Sequence, residues 1–181
     1  MIEEFSKFAG NRIIGFLLRN PDNEKGINGI ARELNLSSGS VKRYTDLLVK
    51  DGLAEIKKAG NIHQPQLKYE HPLIKEMRKT YSLLLLFESG ITDIAENITS
   101  IALYGSFASG TFDEKSDIDI LIISDIKELN TNIISRIEIN FKRELQATII
   151  PYYRWETMKK ENHDFAESIL KNHILITGSE L

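Results

Sequence analysis

The chain has 181 residues, 41% of them hydrophobic and 27% charged, with a formal net charge of -3 and no cysteine. This composition suits a folded globular protein of one large or two small domains. It excludes disulfides, thiolate metal sites and a chain basic enough to coat nucleic acid along its whole length. The charge is uneven: residues 1–70 hold 11 Lys and Arg against 9 Asp and Glu (+2), while residues 71–181 hold 12 against 17 (-5). Only the first part can face DNA locally. The longest apolar run, Leu83–Phe87, is far too short to span a bilayer, and Glu3 and Glu4 are wrong for a signal peptide. With cysteine absent, the expectation is a cytoplasmic protein without a membrane association.

Phe5, Phe8, Ile13, Phe16 and Leu17 recur at helical spacing, and the helix they predict should stop near Asn20-Pro21. Ile27, Ile30, Ala31 and Leu34 mark a second, short helix. A tight turn follows at Asn35–Ser38, where Ser38 or Ser40 is expected to cap a third helix carrying Val41, Tyr44, Leu47 and Leu48. Asp51-Gly52 ends that helix. Leu53–Lys57 and Ile62–Tyr69 read as a hairpin around Ala59-Gly60-Asn61, with Pro65 keeping its strand at an edge. Pro72 opens a longer helix to Glu88, and Ile91–Asn97 adds a turn or two. Strands are then expected at Ser100–Tyr104, Ile118–Ser124, Leu145–Pro151 and Ile174–Thr177. Helices are expected at Ser106–Gly110, Leu129–Lys142 and over most of Trp155–Lys171. The domain boundary is expected at His71-Pro72, dividing residues 1–71 from residues 72–181.

Residues 27–56, INGIARELNLSSGSVKRYTDLLVKDGLAEI, resemble the winged helix-turn-helix domains of prokaryotic regulators. The resemblance implies that the second helix of the pair enters the DNA major groove and that the hairpin tracks the backbone. Ser38, Ser40, Lys42 and Arg43 would then stand at the exposed start of the recognition helix, with Lys57 and Lys58 near the wing tip. Hydroxyls and cations there can bond phosphates and base edges. The competing reading is a solvated helix face on a domain that binds protein instead.

The chemistry lies in residues 104–123. Gly105 lacks a Cβ, so the backbone there can approach a ligand closely. Ser106 opens a short helix whose free N–H groups suit an anion, and its hydroxyl adds a donor. Ten residues later the chain re-enters a strand at Asp117-Ile118-Asp119. The strand period of two puts both carboxylates on one face and sends Ile118, Ile120 and Ile122 into the core. Two adjacent acids repel unless a cation sits between them, and an all-oxygen site suits Mg2+ or Mn2+. A serine turn for a triphosphate beside paired carboxylates for a metal makes a phosphoryl- or nucleotidyl-transfer site.

Gly105-Ser106, ten intervening residues and Asp117-x-Asp119 together resemble the minimal nucleotidyltransferases of the polymerase-beta-like superfamily. Phe107, Ala108, Gly110, Thr111 and Ser116 fall where that family favours such residues, and the likeness extends over about residues 85–181. The two resemblances together imply an α+β chain: an N-terminal winged helix-turn-helix followed by a small α/β nucleotidyltransferase-fold domain with a mixed sheet. The second of them also implies Mg2+ or Mn2+ and ATP or another nucleoside triphosphate as ligand or substrate. Two positions depart from the family. A third carboxylate is expected on the strand Leu145–Ile150, where Gln146 stands, and Glu144 lies about 6–7 Å back along the chain. Ser109 stands where an Arg or Lys is usual, leaving Lys115 to supply a phosphate-binding cation.

Three functions follow. One is a DNA-binding regulator whose second domain holds metal and nucleotide with weak or lost catalysis. Another is an active enzyme moving a nucleoside monophosphate onto a hydroxyl of a small molecule or of a partner protein; the resemblance implies a helical, toxin-like partner beside which such proteins often act as antitoxins. The last is a scaffold that dimerises the winged helices, so a homodimer stays open. His63, His71, His163 and His173 show no ligand spacing and are expected to be locally bonded. Tyr152-Tyr153 and Phe8 are expected in the core, and Lys142-Arg143 is expected to complement a helix dipole.

Overall fold

A computed structural model describes residues 7–126 and 128–181; Glu3, Glu4 and Phe5 lie outside them. Two compact units divide between Tyr81 and Ser82, inside helix α4 (Pro72–Glu88) rather than at its start. The first turns of α4 lend Ile74, Met77 and Tyr81 to the core of the first unit, which carries the division past Pro72.

The first unit begins with α1 (Ala9–Arg19), α2 (Ile27–Glu33) and α3 (Ser38–Lys50). Ile13, Phe16 and Leu17 form the buried stripe of α1, which stops at Asn20 ahead of Pro21 because a residue before proline is pushed out of helical geometry. Phe8 does not join that stripe: it is the extended N-cap and is 68% exposed. Helix α3 starts on Ser37, whose backbone is extended and whose Oγ accepts from the Ser40 amide at 3.1 Å. Ser38 is already helical, so the cap lies one residue earlier than the sequence suggested. Ser37→Ala should cost about 1 kcal/mol, read as a lower Tm in thermal melts; an unchanged Tm would remove this cap from the account.

Strands β1 (Ala54–Ala59) and β2 (Ile62–Leu67) form an antiparallel hairpin, with Ile56 opposite Pro65. Buried Asn23 donates to Pro65 O at 3.3 Å and ties the loop before α2 to the hairpin. Tyr69 donates to Leu17 O at 2.7 Å. Burial pushes the Tyr69 phenol up, against the pull of the Arg78 guanidinium 4.8 Å over its ring, so the hydroxyl remains a donor.

The second unit is a four-stranded mixed sheet in the order β5-β4-β3-β6. The strands are β3 (Ser100–Tyr104), β4 (Ile118–Ile123), β5 (Leu145–Ile150) and β6 (His173–Gly178). β3 runs antiparallel to both β4 and β6, whereas β4 and β5 are parallel, because helix α6 (Thr131–Phe141) carries the chain back between them. A short helix α5 (Gly105–Ser109) follows β3, and helices α7 (Tyr152–Lys160) and α8 (Asp164–Lys171) follow β5. Ile91–Asp93 is a single 3-10 turn that does not continue to Asn97.

Alternation along β4 sorts the core. Leu121 and Ile123 join Ile150, Trp155, Ala166 and Ile169 on one face. Ile118, Ile120 and Ile122 are buried on the other, the face expected from a period of two. Trp155 is 1% exposed and belongs to the core, while Tyr153 is 72% exposed and Tyr152 is also on the surface, against the expectation that the tyrosine pair is internal. The first turn of α7 turns Trp155 inward and leaves Tyr152 and Tyr153 on the surface.

Candidate functional site

The register of the sheet assembles one row across three strands. Tyr104 pairs with Asp119, and Asp119 pairs with Gln146. Directly opposed residues project to the same side of a sheet, so the amide of Gln146 stands beside the Asp119 carboxylate. The six β4–β5 pairs from Ile118–Leu145 to Ile123–Ile150 run without a shift. Glu144 is held by its own carbonyl, which accepts from Ile118 N at 2.9 Å, and no bulge carries it into the place of Gln146. Tyr104 lies flat enough to reach Thr148 Oγ1 at 3.2 Å and meets Phe165 edge-on at 5.8 Å. Its ring therefore marks where the polar end of this face gives way to the apolar core.

Gly105 follows Tyr104 with a left-handed φ of 68°. A Cβ there would overlap Asp119 Oδ2 and stand 3.3 Å from its Cγ. The backbone of the turn and the second carboxylate therefore occupy one small space that only glycine leaves open. Helix α5 is a single turn that begins at Gly105, one residue before the sequence placed it, and ends on left-handed Gly110. The Ser109 hydroxyl is taken up by this turn: it donates to Ser106 O at 3.0 Å and lies 2.7 Å from Thr111 Oγ1. Asn172, just before β6, donates to the Gly105 carbonyl at 3.3 Å and braces the turn from the other side.

Asp117 is exposed and Asp119 half-buried. Burial first, and the charge of Asp117 second, push the Asp119 carboxyl above its usual range. Its charged form is thus undercompensated by the protein itself. Among the described residues no group of three or more His, Cys, Asp or Glu is placed to hold a metal ion. The donor set on hand is two carboxylates, exposed Asp117 and partly desolvated Asp119, the latter facing the gap that Gly105 leaves open. That set fits Mg2+, which is commonly held by one or two carboxylates with substrate phosphates and water completing the shell.

The raised carboxyl has a thermodynamic consequence. The native state keeps the Asp119 proton to higher pH than the unfolded chain does, so ionising Asp119 costs stability. The cost is absent below the ordinary carboxylate range and grows as pH rises through the raised value. Asp119→Asn should therefore raise Tm at neutral pH, and the gain should shrink as pH falls into the carboxylate range. A variant that melts below the wild type at pH 7 would contradict this.

Two further residues lie beside these segments. One is Asn172, to which the sequence reading assigned no role. The other is Arg143, expected to complement a helix dipole; its side chain turns instead to the loop before β4. Its Nη1 donates to Ser116 O at 3.1 Å, and its guanidinium lies 5.7 Å and 5.8 Å from the ring centres of Phe112 and Phe107. Lys142 adopts a left-handed conformation and ends α6. Three of the histidines bond locally: His71 accepts from Leu73 N, His163 caps α8 through Phe165 N, and His173 bonds Ile169 O.

In the first unit, Ser38 is the exposed first residue of α3, and Ser40 is engaged with Ser37. Lys42 is paired with Asp46 at 2.7 Å, and Arg43 lies 5.9 Å over Tyr44. Lys57 and Lys58 are successive on β1, so they project to opposite faces of the hairpin. An open groove of about 910 Å³ separates the start of α2 from the hairpin tip, with Arg32, Asn28, Asn61 and His63 among its lining residues.

Residues 89–176 match the family model for the nucleotidyltransferase domain, a stretch that holds β3, β4 and β5 entire and most of β6. A solved structure described as "Crystal structure of the toxin-antitoxin with AMP-PNP" is similar at a TM-score of 0.38 and 14% sequence identity, over 52% of this chain and 73% of that one. No curated protein matches the chain significantly. Among the described residues, no helix is long and apolar enough to cross a membrane.

Proposed function

We propose that this protein is a DNA-binding regulator whose nucleotidyltransferase-type domain binds a divalent metal and a nucleoside triphosphate with little or no turnover. The observation that carries this reading is Gln146 standing in register beside Asp119. An amide offers an oxygen to a hydrated ion but cannot take a proton from an attacking hydroxyl. Asp117 and Asp119 would hold Mg2+ or Mn2+, and the Gly105-Ser106 turn would present backbone N–H groups and a hydroxyl to the phosphates of ATP or another triphosphate. When bound, the metal neutralises phosphate charge; the turn and the carboxylates fix where the triphosphate lies.

DNA binding is argued from the first unit: two short helices, the second capped by Ser37, followed by a hairpin. This is the element order of a winged helix-turn-helix. Ser38, Ser40, Lys42 and Arg43 would face the major groove, and one of Lys57 and Lys58 the backbone. A Lys42→Ala/Arg43→Ala variant should bind DNA more weakly, with the slope of log K against log salt reduced by about 2, close to one per phosphate contact. Binding of selected DNA with an unchanged salt slope would count against these residues. The cytoplasm is the compartment this reading places it in.

The match to the nucleotidyltransferase domain favours one alternative, an active enzyme that modifies a hydroxyl on a helical, toxin-like partner or on a small molecule. Label transfer from ATP to a co-expressed partner, lost in Asp117→Ala, would establish it. Equal labelling by both proteins would dismiss it.

A further inference from the structure

The loop that delivers Asp117 is strongly acidic, and one partly buried cation faces it. Burial lowers the Arg143 pKa, and the charges of Asp113, Glu114 and Asp117, which all bear on the guanidinium, offset part of that. Asp113 is already committed inside the loop, accepting from Ser116 Oγ at 2.8 Å and from Lys115 N at 3.0 Å. The Arg143 guanidinium lies over Phe107 and Phe112, whose rings stack at 4.0 Å with an interplanar angle of 4°. Phe107 belongs to the Gly105–Ser109 turn and Ser116 precedes Asp117. A single guanidinium therefore touches both segments that would hold a nucleotide.

We propose that Arg143 is the fixed counter-charge of the carboxylate end of this site, placed to admit an anionic triphosphate that the surrounding acids would otherwise repel. The role rests on the metal and nucleotide reading given above, and Arg143 acts as a positioning residue rather than a catalytic one. A triphosphate brings several negative charges toward Asp117, Asp119, Asp113 and Glu114. A cation held by two rings and a carbonyl lowers that barrier without needing to touch the ligand, because charges in a half-buried setting are screened less than exposed ones. The same logic has an opposite sign for a metal alone. A bare divalent cation is repelled by Arg143, so removing the charge should not weaken it.

That sign difference is the test. The full chain and its Arg143→Gln and Arg143→Lys variants would be titrated calorimetrically with Mn2+ alone and with ATP in saturating Mn2+. Arg143→Gln should bind Mn2+ as tightly as the wild type or more so, and bind ATP about tenfold more weakly; Arg143→Lys should recover most of the loss. Parallel weakening of both ligands would make Arg143 a structural brace only and overturn the proposal, as would unchanged ATP affinity. Should Arg143→Gln fail to fold, Arg143→Met, uncharged and apolar enough to cover the two rings, carries the same expectations. A wild type that binds Mn2+ but no ATP, or neither, would overturn the nucleotide reading itself and this role with it. Wild-type ATP binding that Arg143→Gln retains in full would overturn this role alone.

Discussion

Gln146→Glu is expected to raise pyrophosphate release from ATP by about 100-fold or more, the usual worth of a positioned general base. The substitution exchanges one amide nitrogen for an oxygen and keeps the length of the side chain. It places a third carboxylate in the row with Asp119, because the β4–β5 register sets position 146 directly opposite Asp119. Water can serve as the acceptor in this assay, so the natural acceptor is not needed. Gln146→Asp, one methylene shorter, reports how far the carboxylate must reach. If wild type and variants all release pyrophosphate equally slowly, the missing acid is not what limits this domain. If all release it equally fast, the reading of a lapsed enzyme fails and the active alternative gains.

Gly105→Ala should lower the affinity for Mg2+–ATP by at least about 100-fold, the scale at which a misplacement of about 1 Å is felt in a preorganised site. Alanine adds a Cβ that overlaps Asp119 Oδ2, and it must do so at a φ of 68°. The left-handed backbone alone costs a non-glycine residue about 1 to 2 kcal/mol. The carboxylate relieves the overlap by turning away from the gap it shares with the turn, so the loss should fall mainly on binding. Thermal melts and calorimetry separate the two effects: a modest drop in Tm with binding abolished is expected. Binding that survives unchanged would mean that the Asp119 carboxylate and the Gly105 turn do not share a ligand.

The pattern of β3 to β6 was legible because each strand is a short apolar run bounded by turns, and because Asp117 and Asp119 interrupt one run at a spacing of two. The place of Gln146 was legible for the same reason: a parallel neighbour of similar length leaves little freedom of register when its apolar face must be buried. Arg143 was not legible. Its partner Ser116 is 27 residues away, and nothing local distinguishes a helix-end arginine from one that reaches across to a loop. The aromatic residues misled for a related reason. Phe8, Tyr152 and Tyr153 carry the same apolar signal as Phe16 and Trp155, and only packing decides which of them is covered. The division at Tyr81–Ser82 was hidden because α4 shows no break in its pattern where it leaves the first core.

The proposed function requires Asp117, Asp119 and the Gly105-Ser106 turn to form one site for metal and triphosphate. Calorimetric titration of the full chain with ATP in Mg2+, beside Asp119→Asn under the same conditions, tests it most directly. Saturable binding by the wild type and its loss in Asp119→Asn, in a variant that melts no lower than the wild type at pH 7, is the expected result. No binding by the wild type at millimolar ATP, or equal binding by both proteins, would contradict it.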